Sequence, residues 1–286
     1  MIGICTDSSS QLPAAMQARY DIEVVPLTIV VDGTEYLEGV DLDADGFWDF
    51  YADGRLPAVA TAQPSPGQFA LAYEQLADRG AREILSVHLG SALSSTISSA
   101  RLAAHSSPVP VRLVDSGTAG FGVGCCACAA AEAVSGGATL AEAAEVAESL
   151  ASSIGSVFVV AGLDAMRAGG RIKLPDDDEP DPGRGALPLL TIEGTSVRIL
   201  SMANGEAGAL DLMTDYVARR TGSWNVAVGM AGPTGAAFAT RLEQAVRSLS
   251  NVDEVVSYRI GPSVGVHTGP GTTGLLLYPS GTRMCR

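Results

Sequence analysis

The residues best placed to do chemistry form a hydroxyl-rich run between an apolar segment and a helix-like segment. Leu89–Ala100 holds five serines and one threonine. It follows the strand-like run 83–88 and opens onto a helical pattern ending near Ala104. The first N–H groups of a helix lack intrahelical partners, so hydroxyls gathered there can bind a carboxylate or phosphate without a lysine. The alternative is that Ser94 is an N-cap and the other serines fill a solvated first turn.

Similar turns recur through the first half of the chain. Thr6–Ser10 and Asp115–Thr118 follow short apolar runs, and Thr61–Pro66 precede another helical pattern. Alternating strands and helices predict a parallel sheet, whose binding groups gather at the carboxyl ends of the strands. We therefore expect these turns to converge. For Asp7, helix capping and the ordering of a neighbouring loop are favoured over a role as a base.

Two side chains of the second half are candidates for ligand contact. His267 lies in the glycine-bounded segment Gly261–Gly271, which we interpret as a loop rather than a helix face. That setting favours a histidine that faces a ligand over one packed in the core. Arg171 follows two glycines, which allow positive φ, and is presented from a turn; a surface ion pair is the alternative.

Composition limits the classes of function. The net charge is −14 and Lys173 is the only lysine, so the basic stripe of a nucleic-acid-binding protein is missing. The apolar run 121–134 contains Glu132 and is too short to span a bilayer. With no signal-peptide pattern, we expect a cytoplasmic protein. The five cysteines lack zinc-ligand spacing and a disulfide pattern, so we expect buried thiols, no metal and no cofactor.

Local signals predict two further elements. Asp32-Gly33 after the β-branched run 23–31 indicates a hairpin turn. Asp43 is a candidate cap for a short helix that we interpret as core packing or a lid, and that helix carries four aromatic residues, Phe47, Trp48, Phe50 and Tyr51.

The order of these motifs resembles the DegV family over the whole chain. DegV proteins are fatty-acid-binding proteins of two α/β domains, and some present the bound acid to a dihydroxyacetone-kinase-like partner that phosphorylates its carboxylate. The motifs that carry the resemblance are Thr6-Asp7-Ser8-Ser9, Pro26-Leu27, Thr61–Ser65, Leu93–Thr96, Asp115-Ser116, Gly169–Ile172 and His267–Gly271.

The resemblance implies a site and a role. Thr61, Ser94 and His267 would surround a fatty-acid carboxylate, with the Ser95 amide as a further donor. Arg171 would lie at the edge of the site or on the surface where a fatty acid kinase docks. The implied role is a non-catalytic carrier that binds a long-chain fatty acid, with presentation to such a kinase as an additional expectation.

The implied architecture is two α/β domains. Residues 1–155 would form an N-terminal domain with a mainly parallel sheet and the carboxylate-binding turns. Residues 156–286 would form a C-terminal α/β domain with the acyl-chain pocket. The ligand cleft would lie between the two domains.

Two departures from the family pattern bear on this reading. Ser95 replaces the glycine usual at that place, so the backbone there must avoid positive φ or carry strain. The segment 201–206, which includes Asn204, lacks the basic residues associated with the kinase partner. Together with the acidic loop near Asp176, this counts against kinase docking.

Two other classes of function remain open from the residues. A serine hydrolase or acyltransferase would use Ser94 with His267, although no Gly-x-Ser-x-Gly elbow surrounds Ser94. A nucleotide or phosphate binder would use the hydroxyl turns, although the Gly-x-Gly-x-x-Gly and Walker signatures are absent.

Overall fold

A computed structural model of the protein describes residues 1–161, 163–168, 170, 172, 185–193 and 196–282. The chain divides into two compact units. The first unit contains Met1–Leu42 and Ala58–Ser153, with Thr282, and the second contains Asp43–Pro57 and Ile154–Gly281. The first unit contains two sheets and the second contains one, and each unit has its own apolar core.

Strands and helices alternate along most of the chain. The strands are β1 (Ile2–Asp7), β2 (Glu23–Val25), β3 (Thr28–Val31), β4 (Thr34–Leu37), β5 (Val59–Ala62), β6 (Glu83–His88), β7 (Val111–Asp115), β8 (Gly155–Val159), β9 (Ala186–Glu193), β10 (Ser196–Asn204), β11 (Trp224–Met230), β12 (Val252–Arg259) and β13 (Thr273–Pro279). The α-helices are α1 (Ala14–Tyr20), α2 (Ala44–Asp49), α3 (Pro66–Asp78), α4 (Thr96–Ala104), α5 (Phe121–Ser135), α6 (Leu140–Ser153), α7 (Asp164–Ala168), α8 (Gly205–Ala218), α9 (Ala236–Arg247) and α10 (Pro262–Thr268).

The first unit is built on a parallel sheet with strand order β2-β1-β6-β7. The predicted mixed α/β class and parallel sheet are thus confirmed. Helices α3 and α4 pack together over one core, which includes Cys5, Tyr73 and Ile84. Helices α5 and α6 pack together and contact β1, β6 and β7. Because the strands are parallel, the segments that follow β1, β6 and β7 all leave from the same edge of the sheet.

A smaller antiparallel sheet in the first unit has the order β4-β3-β5. The predicted hairpin is confirmed, since β3 and β4 join through Asp32 and Gly33, both with positive φ, at 49° and 82°. The apolar run 23–31 is not one strand, because it breaks at Pro26-Leu27. The Leu27 N–H donates to Ser8 Oγ at 2.9 Å instead of joining a ladder.

The second unit is a six-stranded sheet with the order β10-β9-β8-β13-β11-β12. Only β11 and β12 form a parallel pair, and the other described pairs are antiparallel. Helices α8 and α9 pack on this sheet through fully buried side chains that include Met213, Val217 and Leu242. The last strand, β13, lies in the interior of the sheet between β8 and β11.

The aromatic helix α2 belongs to the second unit. Asp43 is its N-cap as predicted, and accepts a hydrogen bond from Gly46 N at 2.8 Å. The Trp48 indole donates to Ile260 O at 2.8 Å, and the rings of Phe47 and Trp48 lie against Gly265 of α10. The core-packing interpretation of these aromatics therefore holds for Phe47 and Trp48, which are 0% and 5% exposed.

Helix α5 accounts for three of the five cysteines. Cys125, Cys126 and Cys128 are all fully buried, which agrees with the expectation of buried thiols. Burial raises the pKa of Cys126 to about 12, so this thiol stays protonated. Within the described ranges, no helix combines the length and the apolar character needed to cross a bilayer.

Candidate functional site

The hydroxyl turns that follow β1, β6 and β7 are joined to one another by hydrogen bonds. The Leu89 N–H donates to Asp7 Oδ2 at 3.3 Å, and the Ser116 N–H donates to His88 O at 3.0 Å. Convergence at one sheet edge, expected from the alternation of strands and helices, is therefore present for three of the turns. The turns are Ser8–Ser10, Leu89–Ser95 and Ser116–Thr118.

The segment Leu89–Ser95, here called the serine turn, is fixed mostly by its backbone. The N–H groups of Leu93 and Ser94 donate to Gly90 O at 2.9 and 3.2 Å. A Cβ on Gly90 would lie 2.9 Å from the carbonyl carbon of Gly117, so a glycine is required for this close approach. The serine turn is thereby locked against the turn that follows β7.

Ser94 and Ser95 take different positions from those expected for a Ser94 cap. Ser95 is the N-cap residue of α4, and its side chain makes no capping bond. Ser94 Oγ lies 2.9 Å from Thr96 Oγ1 and accepts the Thr96 N–H at 3.3 Å. The alternative interpretation, in which Ser94 is the N-cap, is wrong, because the helix begins one residue later. Ser94 is half-buried, whereas Ser95 is exposed.

The backbone of Ser95 resolves the question raised by its replacement of glycine. Its φ and ψ are −82° and 12°, outside the left-handed region. A side chain is therefore accommodated without positive-φ strain. The Ser95 N–H precedes the first helical residue, so the helix supplies it with no acceptor four residues back. Its amide and the first amides of α4 form the positive end of that helix.

Thr61 lies in β5, opposite Ile29 of β3, and is half-buried. It belongs to the first unit, as do Ser94 and Ser95, but to the antiparallel sheet rather than to the serine turn. The following turn is organised by Ser65, which forms a capping box with Gln68 at the start of α3.

His267 lies in α10 of the second unit and is half-buried. The interpretation of its segment as a loop is wrong. Pro262 occupies the first turn of α10, and Gly269 N donates to Gly265 O at 2.8 Å before the chain turns away with a φ of 78°. Helix α10 packs against α7. Arg171 and the acidic loop near Asp176 lie outside the described residues.

A buried polar chain beneath the serine turn was not predicted. His88 Nδ1 lies 2.9 Å from Asp7 Oδ2, and His88 Nε2 lies 2.7 Å from Ser86 Oγ. Ser86 Oγ in turn lies 3.0 Å from the Tyr73 hydroxyl. All four side chains are fully buried. Ser86 and His88 are two residues apart on β6, and this alternation is the signal that places them on one face of the strand.

The buried polar chain has the hydrogen-bond connectivity of a Ser-His-Asp catalytic triad, but its serine is not accessible to a substrate. Ser86 lies within β6 and is 0% exposed, so no substrate carbonyl can reach its hydroxyl. Burial also raises the pKa of Tyr73, which keeps the phenol neutral. A nucleophilic serine needs an open face next to its base. The buried polar chain is therefore a structural hydrogen-bond network beneath the turns.

The turn that follows β1, Ser8–Ser10, is hydrogen-bonded to a second buried acid, Glu38. Ser8 Oγ donates to Glu38 Oε2 at 2.5 Å, and Gln11 Nε2 donates to Glu38 Oε1 at 3.4 Å. Glu38 is 6% exposed. The Ser8 hydroxyl is therefore used within the fold. Of the three turns that follow β1, β6 and β7, the serine turn is the one that has exposed serines. Among the described residues, no cluster of His, Cys, Asp and Glu has the makings of a metal site.

Comparison with known proteins gives one family over nearly the whole chain. A family model described as "Uncharacterised protein, DegV family" matches residues 1–175 and 186–280. A DegV domain-containing protein of Streptomyces coelicolor is 35% identical over 280 residues, covering 96% of this chain and 98% of its own.

Solved structures of the same fold are similarly complete matches. The structure described as fatty acid binding of a DegV family protein from Thermus thermophilus is 30% identical, has a TM-score of 0.87, and covers 97% of this chain and 99% of its own. The structure of DegV, described as a fatty acid binding protein from Bacillus subtilis, has a TM-score of 0.85 at 23% identity, with 98% and 99% coverage. The second likeness supports the fold alone.

Proposed function

The chain belongs to the DegV family, and from that membership we propose that it binds a long-chain fatty acid as a non-catalytic carrier. The observation that carries the proposal is the serine turn at the start of α4. There the partly exposed hydroxyls of Ser94 and Ser95 lie beside a helix N-terminus whose first N–H groups have no acceptors within the helix. A carboxylate is the ligand that this arrangement suits.

We propose four donors for the carboxylate. The Ser94 hydroxyl, the Ser95 N–H and the Thr61 hydroxyl come from the first unit, and His267 comes from the second. A carboxylate accepts hydrogen bonds only, so neutral hydroxyls and an amide can bind it without a lysine. Each such charge-assisted bond contributes about 1.5–3 kcal/mol. Arg171 is proposed as a contact at the edge of the site or with a partner.

The acyl chain is proposed to occupy the second unit. Each buried methylene contributes about 0.8 kcal/mol, so long chains should bind more tightly than short ones. This gain also makes spontaneous release slow, because affinity differences among related ligands appear mostly in the dissociation rate. A partner that opens the site or consumes the acid fits such slow release.

Presentation to a kinase of the dihydroxyacetone kinase type is a finer part of the proposal. The segment 201–206 spans the end of β10 and the start of α8 and contains no lysine or arginine, and its Glu206 is paired with Arg241. In kinase-linked relatives this segment is basic. Docking of a kinase on the present protein would therefore depend on a different surface. Acyl-phosphate formation from bound oleate, ATP and a purified kinase of that type tests this part separately from binding. We further infer a cytoplasmic location, in which the buried thiols stay reduced.

The experiment that tests the proposal is native mass spectrometry of the purified protein, followed by extraction and identification of its ligand. We expect a stoichiometric long-chain fatty acid. Delipidated protein should then take up added oleate, as measured by isothermal titration calorimetry. A protein that arrives empty and takes up neither oleate nor palmitate would contradict the proposal.

Ser94→Ala tests the carboxylate assignment. Loss of one charge-assisted hydrogen bond should weaken oleate binding by about tenfold to a hundredfold. The matched control is Ser98→Ala, since Ser98 is an exposed serine one turn further along α4. We expect the control to bind as the parent does. Equal affinity of parent and Ser94→Ala would reject the assignment, and loss of short-ester hydrolysis in Ser94→Ala would favour a hydrolase instead.

A further inference from the structure

The Asp7 carboxylate is fully buried, and its hydrogen-bond donors come from two strand ends. Oδ1 accepts the Ser9 N–H at 3.1 Å and the Ser9 hydroxyl. Oδ2 accepts from His88 Nδ1 at 2.9 Å and from the Leu89 N–H at 3.3 Å. A carboxylate buried in this way depends on every donor, because an unsatisfied charged group in the interior is costly.

The donors and acceptors of the buried polar chain all match when the imidazole of His88 is the Nδ1–H tautomer. In that tautomer, Nδ1 donates to the Asp7 carboxylate and Nε2 accepts from the Ser86 hydroxyl. The Ser86 oxygen then accepts from Tyr73, whose phenol stays protonated in its buried site. Every donor in the chain points toward Asp7. The imidazole ring is thus held in one tautomer and one orientation.

The buried polar chain is connected to the serine turn by the hydrogen bond from the Leu89 N–H to Asp7. Leu89 follows His88 directly, and its N–H bond to Asp7 fixes the peptide at which the serine turn begins. From there Gly90 O accepts the N–H groups of Leu93 and Ser94. The path from the Asp7 carboxylate to Ser94 therefore runs through a few consecutive peptides of one turn.

We propose that Asp7 and His88 are positioning residues that set the geometry, and hence the fatty-acid affinity, of the serine turn. The inference rests on the proposed function. Neither side chain touches the ligand, because both are fully buried. Their effect passes through the Leu89 amide. Ser86 and Tyr73 orient the imidazole from its Nε2 side, away from Asp7, and have a smaller effect on the geometry of the serine turn.

Two substitutions of His88 separate its two nitrogens. The amide of Asn falls near the place of Nδ1, so His88→Asn keeps a donor for Asp7. The amide of Gln falls near the place of Nε2, so His88→Gln keeps a partner for Ser86 and leaves Asp7 Oδ2 with Leu89 alone. We expect His88→Gln to lose about tenfold in oleate affinity. We expect His88→Asn to remain within about threefold of the parent, a rescue that general loss of packing would not give.

Tyr73→Phe is the control for stability. It removes the last hydrogen bond of the same buried polar chain. It should therefore shift the denaturation midpoint to a lower denaturant concentration while leaving oleate affinity unchanged. The inference is overturned if His88→Gln binds oleate as the parent does. It is also overturned if Tyr73→Phe weakens binding as much as His88→Gln, since the effect would then follow stability alone.

Nuclear magnetic resonance distinguishes failure of this inference from failure of the proposed function. A parent chain that binds no oleate rejects the proposed function. The positioning role is then decided by the amide resonances of the serine turn in His88→Gln, which should shift if Asp7 and His88 hold it. Unchanged resonances overturn the role. If His88→Gln does not fold, the imidazole Nδ1 proton of the parent is followed instead: it should shift on oleate addition, and no shift overturns the inference.

Discussion

Gly265 lies where α10 packs against the aromatic rings of α2. A Cβ at this position would lie 2.7 Å from Trp48 Cζ2 and 2.9 Å from Phe47 Cε1. The Trp48 ring is held by its bond to Ile260 and has little freedom to move away. We expect Gly265→Ala to lower the unfolding free energy by about 1–3 kcal/mol, the usual cost of overpacking a core, as measured by denaturant titration.

The matched control for Gly265→Ala is another helical glycine of the same unit. A Cβ at Gly208 of α8 would lie 3.6 Å from Asn204 Cβ, which is an ordinary van der Waals contact. Gly208→Ala should therefore stabilise the helix by about 0.5–1 kcal/mol, because alanine loses less backbone entropy than glycine. Equal effects of the two substitutions would contradict the steric explanation.

Glu243 gives a prediction for the pH dependence of stability. Hydrogen bonds from Arg247 and then Ser257 hold the pKa of Glu243 below its ordinary value of 4.5. With a depressed pKa in the folded state, its contribution is complete above the unfolded pKa and is lost as the pH falls through the folded pKa. The pair is solvent-exposed, so we expect only about 0.5 kcal/mol or less. The stability gap between parent and Glu243→Gln should close between about pH 6 and about pH 3.

The contrary result for Glu243 is a gap that stays constant or widens as the solution is acidified. Ser257→Ala removes the hydrogen bond that has the smaller effect on the pKa of Glu243. The stability gap between the parent and Ser257→Ala should therefore be smaller and should also close as the pH falls. Chemical denaturation of the three proteins over the same pH series measures both.

At the scale of elements, α3 begins with a complete capping box. Ser65 Oγ accepts the Gln68 N–H at 3.3 Å, and Gln68 Oε1 accepts the Ser65 N–H at 2.8 Å. Pro66 occupies the first helical position. We expect Ser65→Ala to lower the unfolding free energy by about 1 kcal/mol, because two N–H groups lose their acceptors or their alignment.

Ser65→Asp is the conservative control, since an aspartate oxygen caps a helix about as well as serine. Retained stability in Ser65→Asp with a loss in Ser65→Ala would assign the effect to the cap. A loss of equal size in both variants would instead point to packing of the serine side chain.

Elements with strong local signals could be predicted from the sequence, and those without them could not. Asp32-Gly33 and the Asp43 cap act within a few residues, so their chemistry is visible locally. Helix α10 has only seven residues and contains Gly265. Glycine is a poor helix former, and this helix is stabilised by packing on α2 and α7 rather than by propensity. Its pattern therefore reads as a loop.

The buried polar chain shows the same limit for the candidate site. Ser94 and Thr61 could be named from motif resemblance, but His88 could not. His88 meets Asp7 across 81 residues of sequence, through the parallel pairing that sets Thr6 opposite Val87. Only the register of β1 and β6 brings the two together. Pairings of this kind are decided by the tertiary structure, not by local pattern.

At the scale of the whole molecule, the buried thiols report on global opening. Cys5, Cys125, Cys126 and Cys128 are all 0% exposed, and burial raises the pKa of Cys5 and Cys126. In a Cys285→Ser background, we expect Ellman's reagent to label these thiols only as the protein unfolds, because the thiolate is the reactive form. The labelling rate should then match the unfolding rate measured by fluorescence.

The control for thiol labelling is the same protein in denaturant, where all four cysteines should react at the rate of a free thiol. Rapid stoichiometric labelling without denaturant would contradict the expectation. It would show that at least one of these helices or strands opens locally, well below the free energy of global unfolding.

The interior place of β13 has a consequence for synthesis. On the ribosome, β8 to β10 and then β11 and β12 emerge before it, and they can form only two separate sheet fragments, because β13 is the strand that joins β8 to β11. Both fragments then expose an unpaired edge, the kind of surface that promotes aggregation. A nascent chain released before Thr273 is translated is thus a target for chaperones and proteases, and C-terminal truncation should be far more damaging here than loss of an edge strand.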